Sequence, residues 1–218
     1  MSGARTRALI ITGTDTDIGK TVVAAGLTLC LPHARYWKPV QSGIDPGTDT
    51  RRVRALTGLP DDRFLPEAYC LREPASPHFS ARLEGVTITA GRLTLPPATD
   101  APLIVEGAGG VMVPLSEDLL AIDLFARWQA PVILVARTGL GTINHSLLSI
   151  EALKARHIPI GGILFSGDPH EENERIIPRL AGVRSLGRLP RLAPLDTASL
   201  RAAMHAHVDL AAIEALLA

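Results

Sequence analysis

Aromatic residues are scarce in this sequence: Phe, Trp and Tyr make up 4% of its 218 residues. Its core must therefore be built from aliphatic side chains. Lysine is scarcer still. Of the 22 Lys and Arg residues the lysines are Lys20, Lys38 and Lys154 alone. Arg thus makes the positive surface, and a Lys marks a place where a compact ammonium on a flexible stem is wanted. Charge of one sign is not in excess, with 22 basic against 22 acidic residues. That balance argues against nucleic acid or a membrane surface as the main partner. No apolar run approaches the ~18 residues of a spanning helix, and the opening MSGARTRALIITG lacks the apolar centre of a secretory leader, so a cytoplasmic protein is expected. Cysteine is limited to Cys30, in an apolar helix-like run, and Cys70. The pair reads as buried thiols rather than a disulfide framework or a metal site.

What is present is a repeated alternation. Apolar runs of strand length lie at 8–12, 102–106, 131–136 and 160–165, and helix-like stretches at about 20–31, 118–128, 143–156 and 170–181. Strands that read as unbroken Leu, Ile and Val are those covered on both faces. Their alternation with helices predicts a single three-layer α/β domain over residues 1–218, with a mostly parallel central sheet. Ligands in such sheets bind at the carboxyl ends of the strands, which directs attention to the loops 13–21, 106–110, 137–144 and 166–169. Residues 60–100 are Pro-rich and less periodic, and are expected to cross the top of the sheet rather than add a layer.

The loop GTDTDIGKT, residues 13–21, follows the first apolar run and leads into an apolar helix. A strand, a Gly-rich turn and a helix together aim backbone N–H groups and a helix dipole at one spot, which suits a phosphate chain. Gly19 allows close approach, Lys20 reaches the terminal phosphates and the Thr21 hydroxyl is placed for Mg²⁺. The loop is one residue longer than G-x-x-x-x-G-K-[ST], and a polar turn with local caps is the plainer alternative. Asp17 inside an anion site needs a reason, for which contact with a bound cation or a ligand amine is one candidate. LIVEGAGG, residues 103–110, ends a strand in Glu106 and is expected to bring one carboxylate to the rim near Thr21. Asp49 is a second candidate ligand, although Thr48-Asp49 also reads as a helix cap. In YWKPVQSG, residues 36–43, Pro39 extends the chain so that Lys38 and Ser42 face one side, or else Lys38 is an ordinary surface residue at a strand end.

Read together, these segments resemble the dethiobiotin synthetase family. The stretches that carry the resemblance are GTDTDIGKT, KPVQSG, EPASPH at 73–78, VEGAGG at 105–110 and LGTINH at 140–145. The resemblance implies a P-loop NTPase fold and a homodimer with active sites at its interface. It further implies an ATP-dependent, ADP-forming cyclo-ligase that joins 7,8-diaminopelargonate and CO₂ with Mg²⁺ as cofactor. Carried over by position, Thr21, Asp49 and Glu106 hold the metal, and Lys20, Lys38 and Thr16 attend the reacting groups. Ser42, Lys38, Gly141 and Asn144 contact the substrate. Asp17, Ile18, Gly19, Lys20, Thr21, Val22, Asp49, Glu106, Gly107, Ala108, Gly109, Ser166, Gly167, Pro190, Arg191 and Leu192 contact the nucleotide. The sequence departs from the family pattern twice: Asp17 replaces a Glu, and Ser166-Gly167 replaces an Asn-Asp pair that recognises adenine. Partitioning or amidotransferase-synthetase ATPases, and a nucleotide-binding switch module, are the competing readings. KPVQSG with EPASPH discriminates against them, because a switch needs no pocket for a diamine carbamate.

Overall fold

A computed structural model describes residues 6–218. In chain order the elements are β1 (Ala8–Gly13), α1 (Lys20–Cys30), β2 (Arg35–Trp37), β3 (Val40–Ser42), α2 (Asp49–Thr57), β4 (Phe64–Leu65), β5 (Tyr69–Leu71) and α3 (Pro77–Leu83). They continue with β6 (Leu103–Glu106), β7 (Pro114–Ser116), β8 (Leu119–Leu120), α4 (Ala121–Trp128), β9 (Val132–Arg137) and α5 (Thr142–Lys154). The chain closes with β10 (Ile160–Ser166), α6 (Glu171–Ala181), β11 (Ser185–Leu189), α7 (Thr197–His207) and α8 (Leu210–Ala215). Seven strands form one sheet in the order β11-β10-β9-β1-β6-β2-β4, and every pairing in it is parallel. The three-layer, mostly parallel α/β architecture expected from the sequence is the one observed.

Burial explains why the strands do not alternate. β1 is buried along its whole length, because α1, α2, α7 and α8 cover one face of the sheet and α3, α4, α5 and α6 the other. Successive residues of β6 divide between these cores, Leu103 and Val105 entering one and Ile104 the other. β1 lies at the centre, flanked by β9 and β6, so its carboxyl end opens where neighbouring loops are free to converge.

Two expectations need correction. The 60–100 segment does add structure, since Phe64 and Leu65 pair with Tyr36 and Trp37 at the sheet edge and Ile88 and Leu93 are buried. A two-residue strand is too short to show as periodicity. Cys70 is exposed rather than buried, because alternation along β5 buries Tyr69 and Leu71 and turns the residue between them outward.

Candidate active site

The loop after β1 is built as an anion cradle. A side chain at Gly13 would strike Ile18. Asp17 has φ 54° and Gly19 has φ 99°, left-handed conformations that let intervening N–H groups turn inward. Asp is one of the few non-glycine residues that tolerate this region, which gives Asp17 a conformational reason for its place. α1 starts at Lys20 with Gly19 as its cap and no side-chain cap bond, so its first N–H groups remain available to a ligand. Lys20 curls over the loop and donates to the Asp15 carbonyl at 2.6 Å. Burial, together with the nearby Lys38 ammonium, pushes its pKa down to about 8.

Beside the cradle four polar side chains from four segments meet. The Thr21 hydroxyl donates to Glu106 Oε1 at 2.9 Å and to Asp49 Oδ1 at 3.2 Å. Lys38 Nζ lies 2.7 Å from Asp49 Oδ2 and 2.9 Å from Glu106 Oε1, and donates to the Gly107 carbonyl at 3.2 Å. Burial alone would disfavour the Lys38 ammonium, but Glu106 and Asp49 outweigh it and hold its pKa above the ordinary lysine range. Burial likewise opposes the Asp49 carboxylate, and Lys38 reverses the sign, leaving its pKa below the usual value. Glu106 is 1% exposed, a correction to the expected rim position: it ends a strand buried on both faces. Asp49 escapes the capping role because Thr48 performs it, accepting from Arg51 N at 3.2 Å.

These groups form one end of a cleft of about 700 Å³ that also takes in Thr16, Asp17, Ile18, Gly19, Val22, Ser42, Ala108 and Gly109. Lys38 and Ser42 do face the same space. Ser42 lines the cleft, and its hydroxyl is buried with no hydrogen-bond partner among the described residues, an orphan polar atom. The sequence reading missed part of the lining. Gln41 accepts from Asp49 N at 2.9 Å and donates to the Gly43 carbonyl at 2.9 Å, tying the Ser42 turn to α2. Pro74, Ser76 and Val113 close the opposite wall. Pro74 and Ser76 belong to the EPASPH stretch, whose quotation as a motif was the available signal.

The remaining candidates lie outside the cleft. Ser166 stands against Gly19, where a Cβ would strike its Oγ, and Gly167 donates to the Leu189 carbonyl at 3.0 Å. Pro190, Arg191 and Leu192 follow β11, with Arg191 Nε 3.4 Å from Asp168. This group flanks the cradle at the carboxyl ends of β10 and β11. Gly141 and Asn144 are exposed at the start of α5, and neither lines this chain's own cleft.

Comparison with known proteins agrees with this geometry. A family described as an AAA domain matches residues 7–199. The chain resembles solved structures of the MinD cell division protein of Aquifex aeolicus (TM-score 0.51, 12% identity, 98% and 95% of the two chains) and a plasmid partition protein of Borrelia burgdorferi (0.52, 10%, 92% and 96%). At such identities the likeness is one of fold. Sequence relatives are far closer: the ATP-dependent dethiobiotin synthetase BioD of Afipia carboxidovorans is 60% identical over 89% of this chain and 92% of its own. That of Agrobacterium fabrum is 57% identical over 93% and 94%. With its cradle and carboxylate cluster in one cleft, and with 57–60% identity to these proteins over about nine-tenths of both chains, the chain belongs to the ATP-dependent dethiobiotin synthetase family.

Proposed function

We infer that this chain, acting as a single-domain enzyme over residues 1–218, makes dethiobiotin at the expense of ATP, as a cyclo-ligase of biotin biosynthesis acting on 7,8-diaminopelargonate. The observation that carries this reading is the convergence of Lys20, Thr21, Lys38, Asp49 and Glu106 beside the unpartnered Ser42 hydroxyl. One substrate amine takes up CO₂ as a carbamate and loses a proton. A carbamate oxygen attacks the γ-phosphorus and ADP leaves. The second amine then attacks the carbamoyl carbon, closing the ureido ring and releasing phosphate. Phosphoryl transfer of this kind asks a protein for positioning and charge neutralisation rather than a covalent nucleophile. Lys20 supplies the charge at the phosphates, and Lys38, where cradle and Ser42 turn meet, supplies it at the attacking oxygen. Ser42 donates to the carbamate, and Thr16 borders the same space.

Mg²⁺ fits the residues present. Thr21, Asp49 and Glu106 offer only oxygen donors, two of them carboxylates, as a hard cation requires. Two carboxylates share one bridging Lys38 ammonium, and the negative charge that this leaves supports the reading of a cation there. When bound there, Mg²⁺ neutralises phosphate charge. The exposed start of α5, with Gly141 and Asn144, is assigned to the substrate carboxylate of a partner subunit, which makes the enzyme a homodimer. No helix among the described residues is long and apolar enough to cross a membrane, and the need for ATP suits the cytoplasm. The test is ADP release with and without diaminopelargonate and bicarbonate. Release that requires both supports this function, whereas a full rate without the diamine overturns it in favour of a partitioning-type ATPase.

A further inference from the structure

The Glu106 carboxylate is held from two sides, and one side is not part of the cleft. Oε1 receives Thr21 and Lys38, each at 2.9 Å. Oε2 receives the hydroxyl of Tyr36 at 2.8 Å. Tyr36 is 0% exposed and does not line the cleft. Its position follows from register. Tyr36 stands opposite Ile104 in the parallel pair of β2 and β6, and both belong to the core on the α1 side. Two residues further on, Glu106 returns to that face. The two-residue rise, about 6.6 Å, matches the reach of a tyrosine side chain laid along the strand, so the hydroxyl arrives behind the carboxylate. Phe64 holds the ring edge-on, with centroids 6.4 Å apart.

We propose that Tyr36 is a positioning residue for metal binding: it engages Oε2 of Glu106 from inside the core and thereby reserves Oε1 for the cation shared with Thr21 and Asp49. This rests on the reading of Glu106 as a metal ligand. A free carboxylate can rotate about its last bond and offer either oxygen, or both. One whose inner oxygen already accepts a hydrogen bond presents a single oxygen in a fixed direction, and partners of this outer kind typically contribute 10–100-fold to metal affinity.

The experiment is titration of Mn²⁺, followed by its electron paramagnetic resonance, into the full-length protein with a non-hydrolysable ATP analogue. Wild type, Tyr36→Phe and Glu106→Gln are compared. Tyr36→Phe is expected to raise the Mn²⁺ midpoint about tenfold or more while leaving metal-free binding of the analogue unchanged, and its turnover should recover at high Mg²⁺. A merely structural hydroxyl would lower thermal stability and leave the midpoint where it was, which overturns the proposal. If Glu106→Gln binds Mn²⁺ as wild type does, the ligand assignment of Glu106 falls and this inference with it. Tyr36 and Tyr69 are the only tyrosines, so wild-type protein labelled with 3-fluorotyrosine provides a second reading that needs no variant. The Tyr36 fluorine signal should shift with Mg²⁺ in the presence of the analogue while Tyr69 serves as reference, and an unmoved Tyr36 signal overturns the proposal.

Discussion

The Lys38 ammonium sits between the Asp49 and Glu106 carboxylates, and the proposed mechanism gives it the charge that develops on the reacting oxygens. Lys38→Ala should therefore lower kcat by roughly 10²–10³, the usual loss for a donor aimed at developing charge, and leave nucleotide affinity nearly intact because the cradle is untouched. It also removes the ammonium from Asp49 and Glu106, so added Mg²⁺ should raise the Tm of the variant more than that of wild type. Lys38→Arg should not restore full turnover, since a planar fork cannot occupy the space of a point charge. Near-normal turnover of Lys38→Ala would remove Lys38 from the mechanism. Lys20 yields a pH prediction. Its pKa of about 8 in the ligand-free protein lies below the ~10.4 of an unfolded chain, so its burial costs stability below pH ~8, and that cost is removed as pH rises between these values. A triphosphate raises the pKa again, so nucleotide binding near pH 9 should take up a proton and weaken with rising pH. Calorimetry in buffers of different ionisation enthalpy measures the uptake, and the absence of any buffer dependence would take Lys20 away from the phosphates. In the proposed nucleotide site, Ser166 is packed on Gly19 and Gly167 has no side chain to pair with an adenine edge. Each lost hydrogen-bond partner forfeits about 1–3 kcal/mol of discrimination. The kcat/KM preference for ATP over GTP and CTP should stay below roughly a hundredfold, ~2.7 kcal/mol; a larger one would mean that backbone groups near Leu189 read the base.

Among the elements, those legible in the sequence were the ones with enough buried length to leave a pattern. β1, β6, β9 and β10 were readable as unbroken apolar runs because helices cover both faces of the sheet. β2 and β4, with three and two residues, were not, since strands so short carry no period. The cluster was legible where a charged residue ended an apolar run, as Glu106 does. Tyr36 was not, because a buried tyrosine in a strand reads as core until its hydroxyl partner is known. The packing of α1 on α7 was hidden for a similar reason. Gly26 in α1 faces Met204 of α7, whose Sδ lies 2.5 Å from where a Cβ would be, so the glycine marks a close approach of the two helices. Gly26→Ala should cost less than about 1 kcal/mol, because the buried Met204 side chain must shift from Cγ outward while helix propensity improves by ~1 kcal/mol. Gly26→Leu should overpack the contact and cost about 1–3 kcal/mol, read from the urea midpoint. Equal stability of the two variants would mean that the helices separate freely.

For the whole molecule the decisive question is what covers the start of α5. Leu140 is fully exposed, Leu148 is 62% exposed, and Ile143 lies between them in sequence at 36%, a run of aliphatic surface on a chain whose other aliphatics mostly make its core. Gly141 caps α5 with no side-chain bond; the Thr142 N–H turns back to the Gly139 carbonyl at 3.2 Å, which leaves the next N–H groups of the first turn to take a carboxylate. Both features make sense if a second copy seats its cleft here, with the apolar residues forming the contact and the helix terminus completing the partner's site. The double variant Leu140→Asp, Leu148→Asp separates this from a purely local role. Neither side chain supports this chain's own core, so the folded chain should change by less than about 0.5 kcal/mol in intrinsic stability. An interface made of them would lose apolar contact and gain buried, unpaired carboxylates, a penalty of several kcal/mol. Sedimentation at assay concentration should therefore show a folded monomer with little ring-closing activity but with its own nucleotide cradle still able to bind ATP. A variant that stays dimeric, or a monomer that closes the ring at the wild-type rate, would place the substrate carboxylate elsewhere on the same chain.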